Sequence, residues 1–219
     1  MKSDTIAAIA TALSDAGIGI IRISGPEAIA VANRVVVNKK KEHTLKNWQT
    51  HTIHYGFVEE NGTILDEVMV SVMKAPRSYT TEDTVEINCH GGVLLTKRVL
   101  EAVLHAGARM AEPGEFTKRA FLSGRIDLSE AEAVMDLIQA KNQFSMQASI
   151  KQLRGSVAEK VKSLRAALLY EIAFIESALD DPEHISVDGY GETLKKVVDE
   201  IMEAMKRLLD SCDDGRIIK

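Results

Sequence analysis

One stretch, Pro113–Val134 (PGEFTKRAFLSGRIDLSEAEAV), does most to limit what this chain can fold into. It holds two helix starts separated by a glycine stop, and the chain changes character across it. Pro113-Gly114 is a turn signal, and Glu115 follows in a first helical turn, where the helix dipole favours an acid. Phe116, Ala120 and Phe121 recur at helical spacing, and Gly124 is placed to end that helix in a left-handed conformation. Arg125 sits just past the stop. Ser129 and Glu132 read as an S-x-x-E capping box that opens a second helix. Short β-like runs and turns precede this joint, and almost unbroken helical pattern follows it. The expected fold class is therefore α+β: a mixed or antiparallel sheet with packed helices over residues 1–117, then an all-α helical bundle over 118–219.

The first part alternates as a sheet protein should. Residues 5–13 (TIAAIATAL) are apolar and β-compatible, and 17–25 read as a strand bounded by glycines. In that strand Ile21 and Ile23 share one face, whereas Ile20, Arg22 and Ser24 share the other. Pro26 opens a helix expected to run to about Val37, and Lys39–Lys41 form a polar loop. Asn61-Gly62 between two alternating runs predicts a hairpin, with Val68, Val70 and Val72 facing the core. Residues 84–88 (TVEIN) predict a short strand with Glu86 at its centre. Cys89-His90-Gly91-Gly92 then turns the chain into a helix reaching about Ala106, Gly107 stops it, and 108–111 predict a last short strand.

The second part predicts about fifty helical residues from Ser129. A stripe through Val134, Leu137, Ile138, Ile150, Leu153, Val157, Val161, Leu164, Leu168, Ile172, Ile175 and Leu179 reads as bundle core, with Gly155 tolerated inside it. Asp180–His184 ends the run, and a final helix is expected from Glu192 to Ser211. The tail containing Gly215 is charged and β-leaning, and reads as the lead-in to a further segment.

Several function classes are disfavoured. The net charge of −5 does not attract nucleic acid by overall field. With aromatics at 5% and hydrophobic residues at 45%, the core must be mostly aliphatic. Cys89 and Cys212 lack CxxC spacing, which fits a reducing cytosol and neither a metal site nor a disulfide framework. Neither a secretory signal nor a membrane span is expected. Cys89 and His90, adjacent in sequence, point in different directions, so no Cys–His dyad is expected between them. The chain contains no G-x-x-x-x-G-K-[ST], no G-x-G-x-x-G and no H-E-x-x-H.

Three segments, GIGIIRISGPEA, TTEDTVEINCHGG and PGEFTKRAFLSGRIDLSEAEAVMDLI, resemble the tRNA modification GTPase family MnmE, also called TrmE. The resemblance runs from Asp4 to the end of the chain. It implies an N-terminal α+β domain that resembles folate-binding domains, binds a 5-formyl-tetrahydrofolate-type ligand and forms a homodimer. It also implies the first part of a helical domain, with the family's Ras-like G domain expected after Lys219. In the family, the whole protein acts in the cytoplasm with the FAD-dependent partner MnmG (GidA). GTP, Mg²⁺ and K⁺ serve the G domain, and the pair places a carboxymethylaminomethyl or aminomethyl group on the wobble uridine, position 34, of certain tRNAs. The resemblance carries folate contacts over to Arg22, Glu86 and Arg125, the last at a position where the family often has lysine. It implies no catalytic residue and no metal ligand in this chain. A carboxylate such as Glu86 accepts two hydrogen bonds from a pterin amide and amine, and the arginines suit folate's carboxylates and formyl oxygen. With Arg125 at the joint, the hinge and one wall of the folate site are expected to share residues. Upstream of RISG, the family's proline- and glycine-rich segment is replaced here by ATALSDAG. Two other readings stay open: a purely structural dimerisation scaffold, and a stand-alone folate-dependent one-carbon transferase.

Overall fold

The computed structural model describes residues 4–153 and 155–217, with only the backbone described for 156–158 and 211–217. The described chain forms two compact units that divide between Ile126 and Asp127. Sequence reading places the change of character at 117/118. The first unit extends past that point to Ile126, and the helix after Pro113 is tied to it by ion pairs to Asp4 and Glu82.

The first unit is built on strands β1 (Ile6–Ile9), β2 (Ala16–Ser24), β3 (Val36–Val37), β4 (Thr52–Glu60), β5 (Thr63–Met73), β6 (Thr84–Gly91) and β7 (Arg109–Met110). They form one sheet in the order β3-β4-β5-β6-β2-β1-β7. The described pairs are antiparallel except β1 with β7. The hairpin at Asn61-Gly62 is present, with φ of 50° and 80° at its two turn residues and Glu60 opposite Thr63.

Alternation decides the faces. Ile21, Ile23, Val70, Val72, Val85 and Ile87 are fully buried. They pack in one core cluster with Val31 of α1 (Ala28–Val35) and Val99 and Val103 of α2 (Val93–His105). Burying each such side chain contributes roughly 1.5–3 kcal/mol. The residues between them on β2 and β6, among them Arg22 and Glu86, face the opposite side of the sheet. There α3 (Glu115–Leu122) lies over Arg22 through the Phe116 ring. α1 ends at Val35, short of the expected Val37, because Val36 and Val37 pair with Val58 and Phe57. A run of β-branched valines favours that pairing over another half-turn of helix.

The second unit is helical: α4 (Leu128–Gln139), α5 (Gln143–Leu153), α6 (Ser156–Asp180) and α7 (Tyr190–Ile217). The expected continuous run is thus cut twice. Asn142 takes its side-chain carbonyl to the Ser145 N–H at 2.8 Å, starting a new helix. Gly155 is not inside a helix but between two, at φ 74°, where an L side chain would be strained. The capping box is Asp127/Glu130 and not Ser129/Glu132. Asp127 Oδ1 accepts from the Glu130 N–H at 2.8 Å, and Glu130 Oε2 accepts from the Asp127 N–H at 2.7 Å. Ser129 instead donates to Asp127 Oδ1. An ionised aspartate, free to accept from both Glu130 and Ser129, wins that position over the serine.

The final helix starts at Tyr190, before the expected Glu192, and its backbone continues through Gly215 to Ile217 in place of a β-leaning tail. The side chains of Val157 and Cys212 lie outside the described residues. Much of the expected core stripe is open: Val161, Ile172 and Leu179 are 52%, 49% and 76% exposed. α6 and α7 cover only one side of each other. A pair of helices leaves part of an apolar stripe this wide in water.

Candidate functional site

Arg22 and Glu86 occupy adjacent antiparallel strands in direct register. Nothing but the strand pairing is needed to bring them together, since opposed residues on one face stand about 5 Å apart. Arg22 Nε donates to Glu86 Oε1 at 2.8 Å, and Nη2 approaches the same oxygen at 2.7 Å. The guanidinium therefore does not fork across both carboxylate oxygens, and Glu86 Oε2 stays outside the pair. The two side chains are 32% and 21% exposed, accessible from solvent without being fully solvated. Phe116 on α3 covers the guanidinium of Arg22, 5.6 Å from the ring centroid.

Arg125 is delivered by a different device. Gly124 stands at φ 74°, and its N–H bonds Phe121 O at 2.9 Å while the Arg125 N–H reaches back to Ala120 O at 3.0 Å. That is a Schellman termination, and it fixes the backbone of Arg125 at the C-terminal end of α3. The Arg125 side chain donates to Ser78 O at 3.0 Å and lies 5.5 Å over the Tyr79 ring. No described contact joins Arg125 to Arg22 or Glu86. α3 links the two: Phe116 meets Arg22, and the next residue, Thr117, hydrogen-bonds Tyr79 at 3.0 Å. Tyr79, Phe116 and Thr117 were not identifiable as site residues from sequence. The adjacency of Phe116 and Thr117 on the helix leading to Arg125 was the only available signal.

An ion cluster anchors this helix. Glu115 is 8% exposed and accepts from both nitrogens of the Arg109 fork, from Arg119 and from the Glu112 N–H. Arg109 also pairs with Asp4. Hydrogen bonds from Arg109 hold the Asp4 and Glu115 carboxyls down at about 2. Arg119 bonds Asp4, Glu82 and Glu115. Glu82 in turn accepts from Ser24, two residues along β2 from Arg22.

The remaining polar candidates are structural. Asp66 accepts from the His90 N–H and sits 2.8 Å from His90 Nδ1, which raises the imidazole pKa and pins the turn into α2. Cys89 is 3% exposed, and burial pushes its thiol pKa up, the reverse of an activated nucleophile. Two concavities are prominent. A hollow of about 550 Å³ is lined by Asp15, Leu65, Arg98 and the start of α2. An apolar groove of about 430 Å³ runs between α6 and α7. Neither is lined by Arg22, Glu86 or Arg125. Among the described residues no cluster of three or more His, Cys, Asp or Glu is arranged to hold a metal ion. No described helix is long and apolar enough to cross a membrane.

Residues 5–125 match the family model for the GTP-binding protein TrmE N-terminus, and residues 128–219 match the MnmE helical domain. The chain is similar to proteins named tRNA modification GTPase MnmE. It is 55% identical over 219 residues to that of Lachnoclostridium phytofermentans and 49% identical over 221 residues to that of Carboxydothermus hydrogenoformans. In both cases the match covers 100% of this chain and 48% of the relative. The chain thus spans about half the length of the curated relatives it matches.

Proposed function

This chain belongs to the MnmE (TrmE) family of tRNA modification GTPases, through that family's N-terminal and helical domains, and from that premise we propose that it supplies the folate-binding and dimerising part of such an enzyme. The observation that carries the reading is the Arg22–Glu86 pair, set opposite each other on the α3 side of the sheet with one carboxylate oxygen left outside the pair. A carboxylate oxygen has two lone pairs, so Glu86 can accept from a pterin amide and amine while still holding Arg22. Arg22 and Arg125 then offer positive charge to the formyl oxygen and the carboxylate tail of 5-formyl-tetrahydrofolate. Phe116 and Tyr79, already packed on the two guanidinium groups, add apolar surface beside them.

In this reading the protein works in the cytoplasm as a homodimer through its first unit. With the FAD-dependent partner MnmG it modifies the wobble uridine of tRNA. GTP hydrolysis, with its Mg²⁺ and K⁺, is assigned to a part of the relatives' length beyond the matched half, since this sequence contains no phosphate-cradling G-x-x-x-x-G-K-[ST]. Titration calorimetry of the chain with 5-formyl-tetrahydrofolate is the test. Saturable heat, lost in Glu86→Ala, is expected. Full-strength binding by Glu86→Ala would displace the site from Glu86. No heat from the unmodified chain would leave only a scaffold role.

A further inference from the structure

The ion cluster beside α3 ends on residues that hold the candidate site. Arg119 has a side chain 12% exposed and lies on α3 two residues after Thr117. Its guanidinium joins three segments that are distant in sequence. Nη1 donates to the backbone oxygen of Asp4 at 2.7 Å and Nη2 to the Asp4 carboxylate at 2.7 Å, tying α3 to the chain just before β1. Nη1 lies 3.1 and 3.2 Å from the two Glu82 oxygens, tying α3 to the loop before β6. Nη2 also meets Glu115 at 3.0 Å, one helical turn back.

Each tied segment carries or abuts a site group. The loop closed by Glu82 supplies Ser78 O and the Tyr79 ring to Arg125. Ser78 in turn donates to the backbone oxygen of Glu82 at 2.6 Å, so displacing Glu82 displaces Ser78. β1 pairs with β2 so that Ala8 stands opposite Arg22. α3 itself presents Phe116 to Arg22 and Thr117 to Tyr79. A planar guanidinium with five donors in a rigid fork sets the mutual position of such segments more tightly than a lysine ammonium does.

We propose that Arg119 is a positioning residue for the ligand site: it locks α3 against the Ser78–Glu82 loop, so that Arg22 and Arg125 are held ready before the ligand arrives. The proposal rests on the folate reading of Arg22, Glu86 and Arg125. Holding binding groups in place in advance lowers the ordering cost of binding. At metal sites loss of such supporting contacts weakens affinity by on the order of ten- to a hundredfold, and an effect of that order is expected here.

The test is calorimetry of the full chain with 5-formyl-tetrahydrofolate. Arg119→Met is expected to weaken binding in that range and Arg119→Lys to restore part of it. Combining Arg119→Met with Thr117→Val is expected to lose less than the product of the single losses, because both act through the seating of α3 on Tyr79. Binding by Arg119→Met within twofold of the unmodified chain, or losses that simply multiply, would overturn the proposal. Should Arg119→Met fail to fold, Glu82→Gln carries the same test: several-fold weaker binding supports it and unchanged binding overturns it. A ligand-free arm separates this from failure of the folate reading. The Tyr79 ring and Arg125 Nε–H resonances are expected to move in Arg119→Met or Glu82→Gln with no ligand present. Unmoved resonances overturn the positioning role, whereas moved resonances with no heat from the unmodified chain sink the folate reading alone.

Discussion

Glu86 shows how much one side chain can be read for and where reading stops. Its place at the centre of an apolar alternation, like that of Arg22, marked a charge aimed away from the core. That the two charges stand opposite each other follows only from β2 pairing with β6 across 64 residues of chain. With two charged hydrogen bonds to ligand assigned to it, Glu86→Ala is expected to cost about 2 kcal/mol or more of binding, at least thirtyfold or so in affinity by calorimetry. The same change lowers folding stability by at most about 1 kcal/mol, since Arg22 is one-third exposed and solvent screens the pair. Glu115 behaves differently because it is buried among arginines. Its carboxyl titrates at about 2 in the fold against an ordinary 4.5. A carboxyl depressed by folding stabilises fully above its unfolded value and loses that contribution as pH falls towards the folded one. Urea-unfolding midpoints are therefore expected to drop between about pH 4.5 and 2, and Glu115→Gln to flatten that part of the profile. Asp4 contributes in the same direction between 3.8 and about 2, but less, because its side chain is 57% exposed. A profile in Glu115→Gln as steep as the unmodified one would show that Glu115 does not carry the effect.

At the scale of elements, the joint from Pro113 onwards behaves as its residues dictate, with one shift. The glycine stop is real, and α3 ends in a Schellman turn at Gly124. Gly124→Ala forces an L residue to φ 74° and is expected to cost about 1–2 kcal/mol by chemical denaturation. It also disturbs Arg125, whose backbone that turn seats. The next helix begins two residues earlier than an S-x-x-E pattern implies, since DLSE offers the same reciprocal box with a carboxylate as cap. Asp127→Ala is accordingly expected to destabilise the second unit by about 1 kcal/mol, and Ser129→Ala by less. The reverse ranking, followed by far-UV circular dichroism on denaturation, would restore Ser129 as the cap. Gly155 was misjudged for a comparable reason: periodicity of apolar residues continues across it, but periodicity does not report the sign of φ. Val36 and Val37 lean towards a strand by their β-branching, but they join the sheet only because a partner strand is available, which local propensity does not report.

At the scale of the whole molecule, the chain is two compact units that account for about half the length of its relatives. Sedimentation equilibrium of the chain is expected to show a dimer. A monomer at all concentrations would remove dimerisation from the proposed function. GTP turnover by the pure chain is expected to be absent, and measurable turnover would require a phosphate site of a kind other than a G-x-x-x-x-G-K-[ST] loop. The sequence by itself determined the α+β order of the chain, the faces of β2, β5 and β6, the Asn61-Gly62 hairpin, the Gly124 stop and membership of the family, because each is written in local periodicity, turn chemistry or contiguous motif. Only the tertiary structure decided that Arg22 meets Glu86, that α3 presents Phe116 to Arg22 and Thr117 to Tyr79, and that Arg119 binds Asp4 and Glu82. Those contacts join residues 37 to 115 positions apart or depend on where a helix is laid across a sheet. Strand order and helix docking, which minimise exposed apolar area over the whole unit, set such distances, and no local window of sequence contains them.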